Sequence, residues 1–290
     1  MKLRFSMLSI TVATVLLVSS CFAQYDPHPD TIDYKENYRG QYHFSPKTGW
    51  MNDINALVYH DSKYHMIYQW GESKRHGGYA TSCDLLHWVD RGVALIPQES
   101  FLPDEAERNV SGAEVYSGSG VVVSGETARK ITGSSQESMV AIYTGTEVGT
   151  CLAWSNDGGT NWHDYHGNPV ANPTGGADPR DPCVFWYEPT KKWILAIYEK
   201  GTTFYESTNL IDWHELSNID FGFECPDVYV LPLDGDLKNM KWILQDANGS
   251  YLVGNFDGKT FREEQGPFVM DVGPDFYAGQ TFFRENLPHG

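Results

Sequence analysis

Three acidic residues lie far apart in the chain, each in a setting that leaves its role open: Asp53 within Trp50-Met51-Asn52-Asp53-Ile54-Asn55-Ala56, Asp181 within Arg180-Asp181-Pro182, and Glu224 within Phe223-Glu224-Cys225-Pro226-Asp227. Asp and Asn bond the nearby backbone in turns, so Asp53 between two amides is either the former of a tight turn or a nucleophile. Asp181 is either half of a structural Arg-Asp pair or a ligand-holding group. Glu224 is either a surface charge or an acid among apolar neighbours, and Asp227 reads as structural. The chemistry that needs two carboxyl groups facing one bond is glycoside transfer or hydrolysis. In its retaining form one carboxylate attacks the anomeric carbon while the other, kept protonated, gives its proton to the departing oxygen, at a separation of about 5 Å. Phe223 and Cys225 make Glu224 the better acid, because desolvation favours the neutral form. Asp53, with amides close by, is the better ionised nucleophile, and Arg180 and Asp181 suit bonds to sugar hydroxyls as charge develops. This chemistry requires no metal and no other cofactor.

Such a trio acts together only if the fold brings distant segments to one place. Long amphipathic helical patterns are scarce. Short runs rich in β-branched and aromatic residues recur instead, among them Tyr64-His65-Met66-Ile67-Tyr68, Gly120-Val121-Val122-Val123, Met139-Val140-Ala141-Ile142-Tyr143, Trp193-Ile194-Leu195-Ala196-Ile197-Tyr198 and Trp242-Ile243-Leu244. Each is bounded by Gly, Pro, Asn or Asp, the pattern of strands in an all-β domain. Four segments repeat one design, a small or polar residue, an Asx-type turn and an aromatic: Ser82 to Trp88, Ser155 to Trp162, Ser207 to Trp213 and Asn255 to Phe261. Each follows a strand-like run and reads as the hairpin between the two outer strands of a small antiparallel sheet. Their spacing of roughly 50 to 75 residues suits four-stranded propeller blades. The expectation is therefore an all-β, five-bladed β-propeller, favoured over a sandwich, with blades starting near Asn55, Ser117, Val184, Val228 and Gln280. Asp53, Asp181 and Glu224 then fall just before or within first strands, which line the central funnel. A fifth blade would begin near Asp275-Phe276-Tyr277-Ala278, with Thr281-Phe282-Phe283 as its first strand, and reads as incomplete at Gly290.

Residues 1–23 read as a signal peptide, with basic Lys2 and Arg4, an apolar run from Leu8 to Val18, and small Ser19, Ser20 and Ala23. The run is too short to span a membrane, so stable membrane insertion is not expected. Cys21 after Val18-Ser19-Ser20 offers an alternative, a lipid-anchored terminus. Residues 24–40 read as an extended N-terminal segment and 41–290 as the propeller. Cys83, Cys151, Cys183 and Cys225 are widely spaced and read as buried free thiols, without a zinc site or a disulfide framework. The formal net charge of −17, from 21 Lys and Arg against 38 Asp and Glu, excludes nucleic acid as a partner. Asn109-Val110-Ser111 and Asn248-Gly249-Ser250 match the N-glycosylation pattern. The expected location is secreted, extracellular or periplasmic; oligomeric state carries no signal.

In order along the chain, Trp50 through Ala56, Gln69-Trp70, Ser117-Gly118-Ser119, Arg180-Asp181-Pro182 and Glu224-Cys225 resemble the W-M-N-D-P-N-G, Gln-aromatic, S-G-S, R-D-P and E-C motifs of glycoside hydrolase family 32, the fructan-cleaving group of invertases, inulinases and levanases. The resemblance runs from about Tyr42 to Phe282. It implies a five-bladed propeller in which Asp53 resembles the nucleophile, Glu224 the acid/base and Asp181 the transition-state stabiliser. It further implies a fructose subsite lined by Asn52, Gln69, Ser117 and Arg180, with Tyr277 at a pocket-lining position. The chain departs from the family pattern in three ways. Ile54 and Ala56 replace a Pro and a Gly that would help a turn. Arg75 to Ala80 lacks, at Gly77, the Trp of the family's M-H-W-G-H-A segment, which leaves Trp70 as the aromatic to replace that wall. No family-type C-terminal β-sandwich follows. The function that results is a secreted retaining hydrolase releasing fructose from fructan, such as levan or inulin, or from sucrose. The alternatives are a catalytically impaired carbohydrate-binding propeller and a related furanosidase.

Overall fold

Each apolar run ends at a Gly, Asx or Pro, and in the computed structural model of the protein the chain reverses at those points. The structure describes residues 35–40, 43–71, 74–97, 114–171 and 179–282. The expected signal segment and Cys21, most of the extended N-terminal segment, and Asn109 lie outside them. Among the described residues the strands pair into four antiparallel sheets of four, each strand bonded to its chain neighbours. Blade one is β1 (Met51–His60), β2 (Lys63–Trp70), β3 (His76–Ser82) and β4 (Trp88–Leu95). Blade two is β5 (Val115–Val123), β6 (Ser138–Gly145), β7 (Gly149–Ser155) and β8 (His163–Asp164), with one short helix, α1 (Gly125–Thr132), between β5 and β6. Blade three is β9 (Arg180–Tyr187), β10 (Lys192–Tyr198), β11 (Thr202–Ser207) and β12 (His214–Ile219). Blade four is β13 (Asp227–Pro232), β14 (Met240–Gln245), β15 (Ser250–Phe256) and β16 (Phe261–Val269). This is the expected all-β propeller, and the first four blades start within a few residues of the expected positions.

The cores lie between blades, and that placement explains the unbroken apolar runs. Blades one and two enclose Ala56, Ile67 and Tyr79 against Ala141, Tyr143 and Ala153. Val140, Ile142 and Leu152 of blade two meet Val184, Leu195 and Ile197 of blade three, and Phe185, Ile194 and Phe204 meet Val228, Leu244 and Phe256 of blade four. A central strand covered on both faces has no polar face to alternate with, so every residue of β6 is buried. Each fully buried Leu, Ile or Phe contributes about 1.5–3 kcal/mol. The outermost strand β16 has one covered face at most, and all of it after Phe261 is exposed.

The repeated turns join the third and fourth strands of each blade, as expected. The Ser82 hydroxyl accepts from the N–H groups of Asp84 and Leu85, the Asp84 carboxylate accepts from those of Leu86 and His87, and the Trp88 indole donates to the Leu85 carbonyl. Ser207, Asn209 and Trp213 repeat the same bonds. The middle residues Leu85 and Leu210 take φ of 65° and 64°, a left-handed conformation that the surrounding side-chain bonds hold.

Phe283, the last residue of the expected fifth-blade strand, lies outside the described residues, and Asp275 to Ala278 and Thr281-Phe282 carry no strand. Their polar groups bond blade four instead: Ala278 N–H donates to the Ala247 carbonyl at 2.8 Å and Thr281 N–H to Asp227 Oδ2 at 2.7 Å. The Phe282 ring then packs edge-on against Tyr64 of blade one at 5.2 Å. Asp227 is thereby the structural residue it was read to be. One expectation is corrected: Cys83 is exposed, because it sits on the outer turn of blade one, whereas Cys151, Cys183 and Cys225 are buried free thiols.

Candidate active site

The heptad from Trp50 to Ala56 is not a tight turn; from Met51 it is the start of β1, irregular in a way that positions Asp53. Met51 pairs with Trp70, Ile54 with Tyr68 and Ala56 with Ile67, so β1 carries one residue more than β2 in each interval. A bulge of this kind bends a strand and re-aims a side chain. Two of the three other inner strands, β5 and β9, bulge as well. One extra residue lies between Val115 and Gly118 on β5, beside Ser117, and one between Arg180 and Cys183 on β9, beside Asp181. The loss of Pro and Gly from the heptad therefore matters little. Neither Ile54 nor Ala56 takes a positive φ, and Ala56 is buried between blades one and two. The glycine that the geometry does demand is Gly118, where a Cβ would lie 2.2 Å from the Ile142 carbonyl oxygen and 2.8 Å from that of Asn55.

Hydrogen bonds tie the three acids together. The Ser117 hydroxyl donates to Asp53 Oδ2 at 2.8 Å and accepts from Gln69 Nε2 at 3.0 Å. The Cys225 thiol stands 3.9 Å from the same Asp53 oxygen, while the Cys225 backbone N–H donates to Asp181 Oδ2 at 3.1 Å. Arg180 donates to Glu224 Oε1 from Nη2 at 2.8 Å and from Nε at 3.2 Å, and its Nε lies 3.8 Å from Asp181 Oδ2. The Tyr277 phenol donates to the other Glu224 oxygen. The Arg180 guanidinium also lies over the Tyr198 ring, 4.6 Å from its centroid.

Asp181, Glu224 and Cys225 have φ of 61°, 56° and 38°, values that cost a non-glycine residue about 1–3 kcal/mol and persist only where the surroundings over-determine them. Here the Asp181 N–H donates to Thr144 Oγ1 at 2.8 Å, and the Ala247 N–H donates to the carbonyls of both Phe223 and Glu224 at 3.1 Å. Burial raises the Asp53 carboxyl above the ordinary range, with the Ser117 hydrogen bond opposing it. Burial pushes Asp181 up to about 6, opposed by the Cys225 N–H and by Arg180. It also raises the Cys225 thiol, which stays protonated.

The cluster thus gathers Asp53, Asp181, Glu224, Gln69, Ser117, Arg180 and Tyr277. Asn52 is exposed beside Asp53 on β1. Trp70 is not gathered: Gln69 points to Ser117, so its neighbour on β2 faces the other way, and the Trp70 indole donates to the Thr48 carbonyl and packs against His76. Nor does Gly77 leave a gap in the wall, since a Cβ there would meet Ile67 and Leu95 in the core at 2.8 Å. The deepest carboxyl is Asp181, with 4% of its side chain exposed, and not Glu224, with 24%. Phe223 turns outward, 43% exposed, onto the edge of Tyr198 and so does not cover Glu224. Reading the sequence missed Thr144, Tyr198 and the double contact of Cys225. A lone polar residue closing the apolar run Met139 to Tyr143 is the signal that marks Thr144.

The sequence profile for the Glycosyl hydrolases family 32 N-terminal domain matches residues 43–288. Levanase of Bacillus subtilis (strain 168) is 36% identical over 309 residues, which cover 95% of this chain and 43% of the levanase. The extracellular exo-inulinase of Aspergillus niger is 34% identical over 87% of this chain and 56% of its own length. The crystal structure of Aspergillus awamori exo-inulinase superposes with a TM-score of 0.73 at 31% identity, over 87% of this chain and 58% of that one. The chain spans about half the length of the curated relatives it matches. A profile match that takes in all four blades and every acid of the cluster leaves one assignment: the chain belongs to glycoside hydrolase family 32.

Proposed function

We propose that the protein is a retaining β-fructosidase that releases fructose from a fructan or from sucrose. The observation that carries this is the double contact of Cys225, whose thiol faces Asp53 and whose N–H holds Asp181, while Glu224 is its chain neighbour. Three blades thereby supply carboxyl groups to one spot. Asp53, oriented by Ser117, attacks the anomeric carbon and the fructosyl group is transferred to its oxygen. Glu224 gives its proton to the departing oxygen, then takes one from the water that releases fructose. Asp181 and Arg180 bond the fructose hydroxyls as positive charge develops on the ring, and Asn52 and Gln69 line the same subsite. The names levanase and exo-inulinase borne by relatives favour fructan as substrate. We further assign residues 1–23 to an export signal and 41–290 to the catalytic propeller, which makes the protein extracellular or periplasmic. Ile54 and Ala56, which depart from the family motif, lie on β1 without a positive φ and leave Asp53 bonded to Ser117, which favours the enzyme over a binding-only propeller.

The test is to incubate the full-length protein with levan, inulin, sucrose and an arabinofuranoside and to measure free sugar, with Asp53→Asn and Glu224→Gln as controls. Fructose release that both substitutions abolish supports the proposal. Binding of fructan without release, or release of arabinose alone, rejects it.

A further inference from the structure

We infer that Thr144 is a positioning residue that couples the two ends of the carboxyl cluster, an inference that rests on the proposed fructosidase chemistry and adds to it a side chain that touches no substrate. Thr144 is 7% exposed and lies near the end of β6, the second strand of blade two. Its hydroxyl donates to the Ser117 carbonyl at 3.1 Å and accepts from the Asp181 N–H at 2.8 Å. A threonine hydroxyl has one donor and two acceptor sites, so both bonds form at once. Ser117 in turn holds Asp53 through its own hydroxyl. A continuous path of hydrogen bonds therefore runs from the nucleophile on blade one, through Ser117 and Thr144 of blade two, to Asp181 on blade three.

Two features make the hydroxyl, rather than the bulk of the side chain, the functional part. Asp181 holds φ at 61°, a conformation that needs restraint from both directions. Thr144 restrains its N–H, and the Cys225 N–H restrains its carboxylate. In addition Asp181 is 4% exposed, so removing the hydroxyl leaves a buried N–H without a partner. Valine has nearly the shape of threonine. A residue kept for packing would tolerate Thr144→Val, whereas a residue kept for its hydroxyl would tolerate Thr144→Ser.

The experiment compares full-length T144V and T144S with wild type in kcat and KM on inulin, and in amide hydrogen exchange at Asp181. The expected result for T144V is a fall of about 10- to 100-fold in kcat, with KM within about threefold of wild type, and faster exchange at the Asp181 amide. T144S keeps kcat within about threefold and retains slow exchange. Wild-type kcat in T144V, or T144S as impaired as T144V, overturns the inference. Should T144V fail to fold, T144A removes the same hydroxyl with less bulk and carries both readouts. Should wild type itself release no fructose, the fructosidase proposal fails, and the exchange arm alone decides Thr144. Faster exchange in T144V but not T144S then upholds it, and unchanged exchange in T144V overturns it.

Discussion

Ser117→Ala removes the one side-chain hydrogen bond shorter than 3 Å that Asp53 makes among the described residues, and its effect can be worked from the geometry. The Ser117 hydroxyl is buried, 2.8 Å from Asp53 Oδ2, and is itself held by Gln69. A hydrogen bond to a charged group contributes about 1.5–3 kcal/mol, and 1.36 kcal/mol corresponds to one pKa unit. Burial already raises Asp53, and the Ser117 bond is the largest influence opposing it. The variant should therefore titrate Asp53 higher than wild type. An attacking carboxylate must be ionised, so the acid limb of kcat/KM moves to higher pH, and the loss of about 1.5–3 kcal/mol lowers activity on that limb about 10- to 100-fold. The alkaline limb, set by the proton donor, stays in place, which separates this effect from general damage to the fold. Initial rates of fructose release from inulin between about pH 3 and 9 read both limbs. An acid limb that coincides with that of wild type would refute the assignment of Asp53 as a nucleophile held by Ser117.

Arg180→Lys keeps the charge but loses the paired Nε and Nη2 bonds to Glu224 and the contact with the Tyr198 face; kcat/KM on inulin should fall by about 100-fold, and a fall of less than about threefold contradicts the role given to it. Gly118→Ala places a Cβ against the Ile142 carbonyl and the Tyr143 Cα and should destabilise the protein by about 1–3 kcal/mol; an unchanged urea midpoint contradicts the close approach of β1, β5 and β6. Burial puts Asp181 and Asp227 near 6 in the folded state against an ordinary 3.8. The folded protein thus binds more protons than the unfolded chain between those values, and these two groups make stability fall as pH rises from about 4 to 6. Asp227→Asn should flatten that slope in urea unfolding, and an unaltered slope speaks against the burial of a neutral Asp227.

Local patterns in the sequence mark the blades because they act locally. The hairpins at Ser82, Ser155 and Ser207 are built from side chains bonding backbone two to four residues away, so their residues can be read in place. The apolar runs mark central strands because both of their faces are covered. The approach of Asp53, Asp181 and Glu224 is legible from their common position within or just before the first strands of three blades. The bulges of β1, β5 and β9 are not, since register is a relation between strands: nothing within Trp50 to Ala56 says that β2 supplies two residues fewer. Burial of Asp181 rather than Glu224 escapes sequence for the same reason. The outward turn of Phe223 depends on Tyr198, which lies 25 residues earlier at the end of β10. Gly77 looks like a lost pocket wall in the motif, yet its open side faces Ile67 and Leu95, which only strand pairing reveals. Thr144 has two partners, Ser117 on its own blade and Asp181 on the next, and no motif contains all three.

The claim that Asp53 attacks the anomeric carbon is tested most directly by trapping its product. Full-length Glu224→Gln, in which hydrolysis of the intermediate lacks its base, is mixed with a β-fructoside bearing a leaving group that needs no proton, quenched in acid and digested for peptide mass analysis. The proposed roles predict a peptide heavier by one fructosyl unit, with the addition on Asp53. An adduct on Asp181, or an enzyme that turns over the same substrate with inversion and carries no adduct, would contradict them.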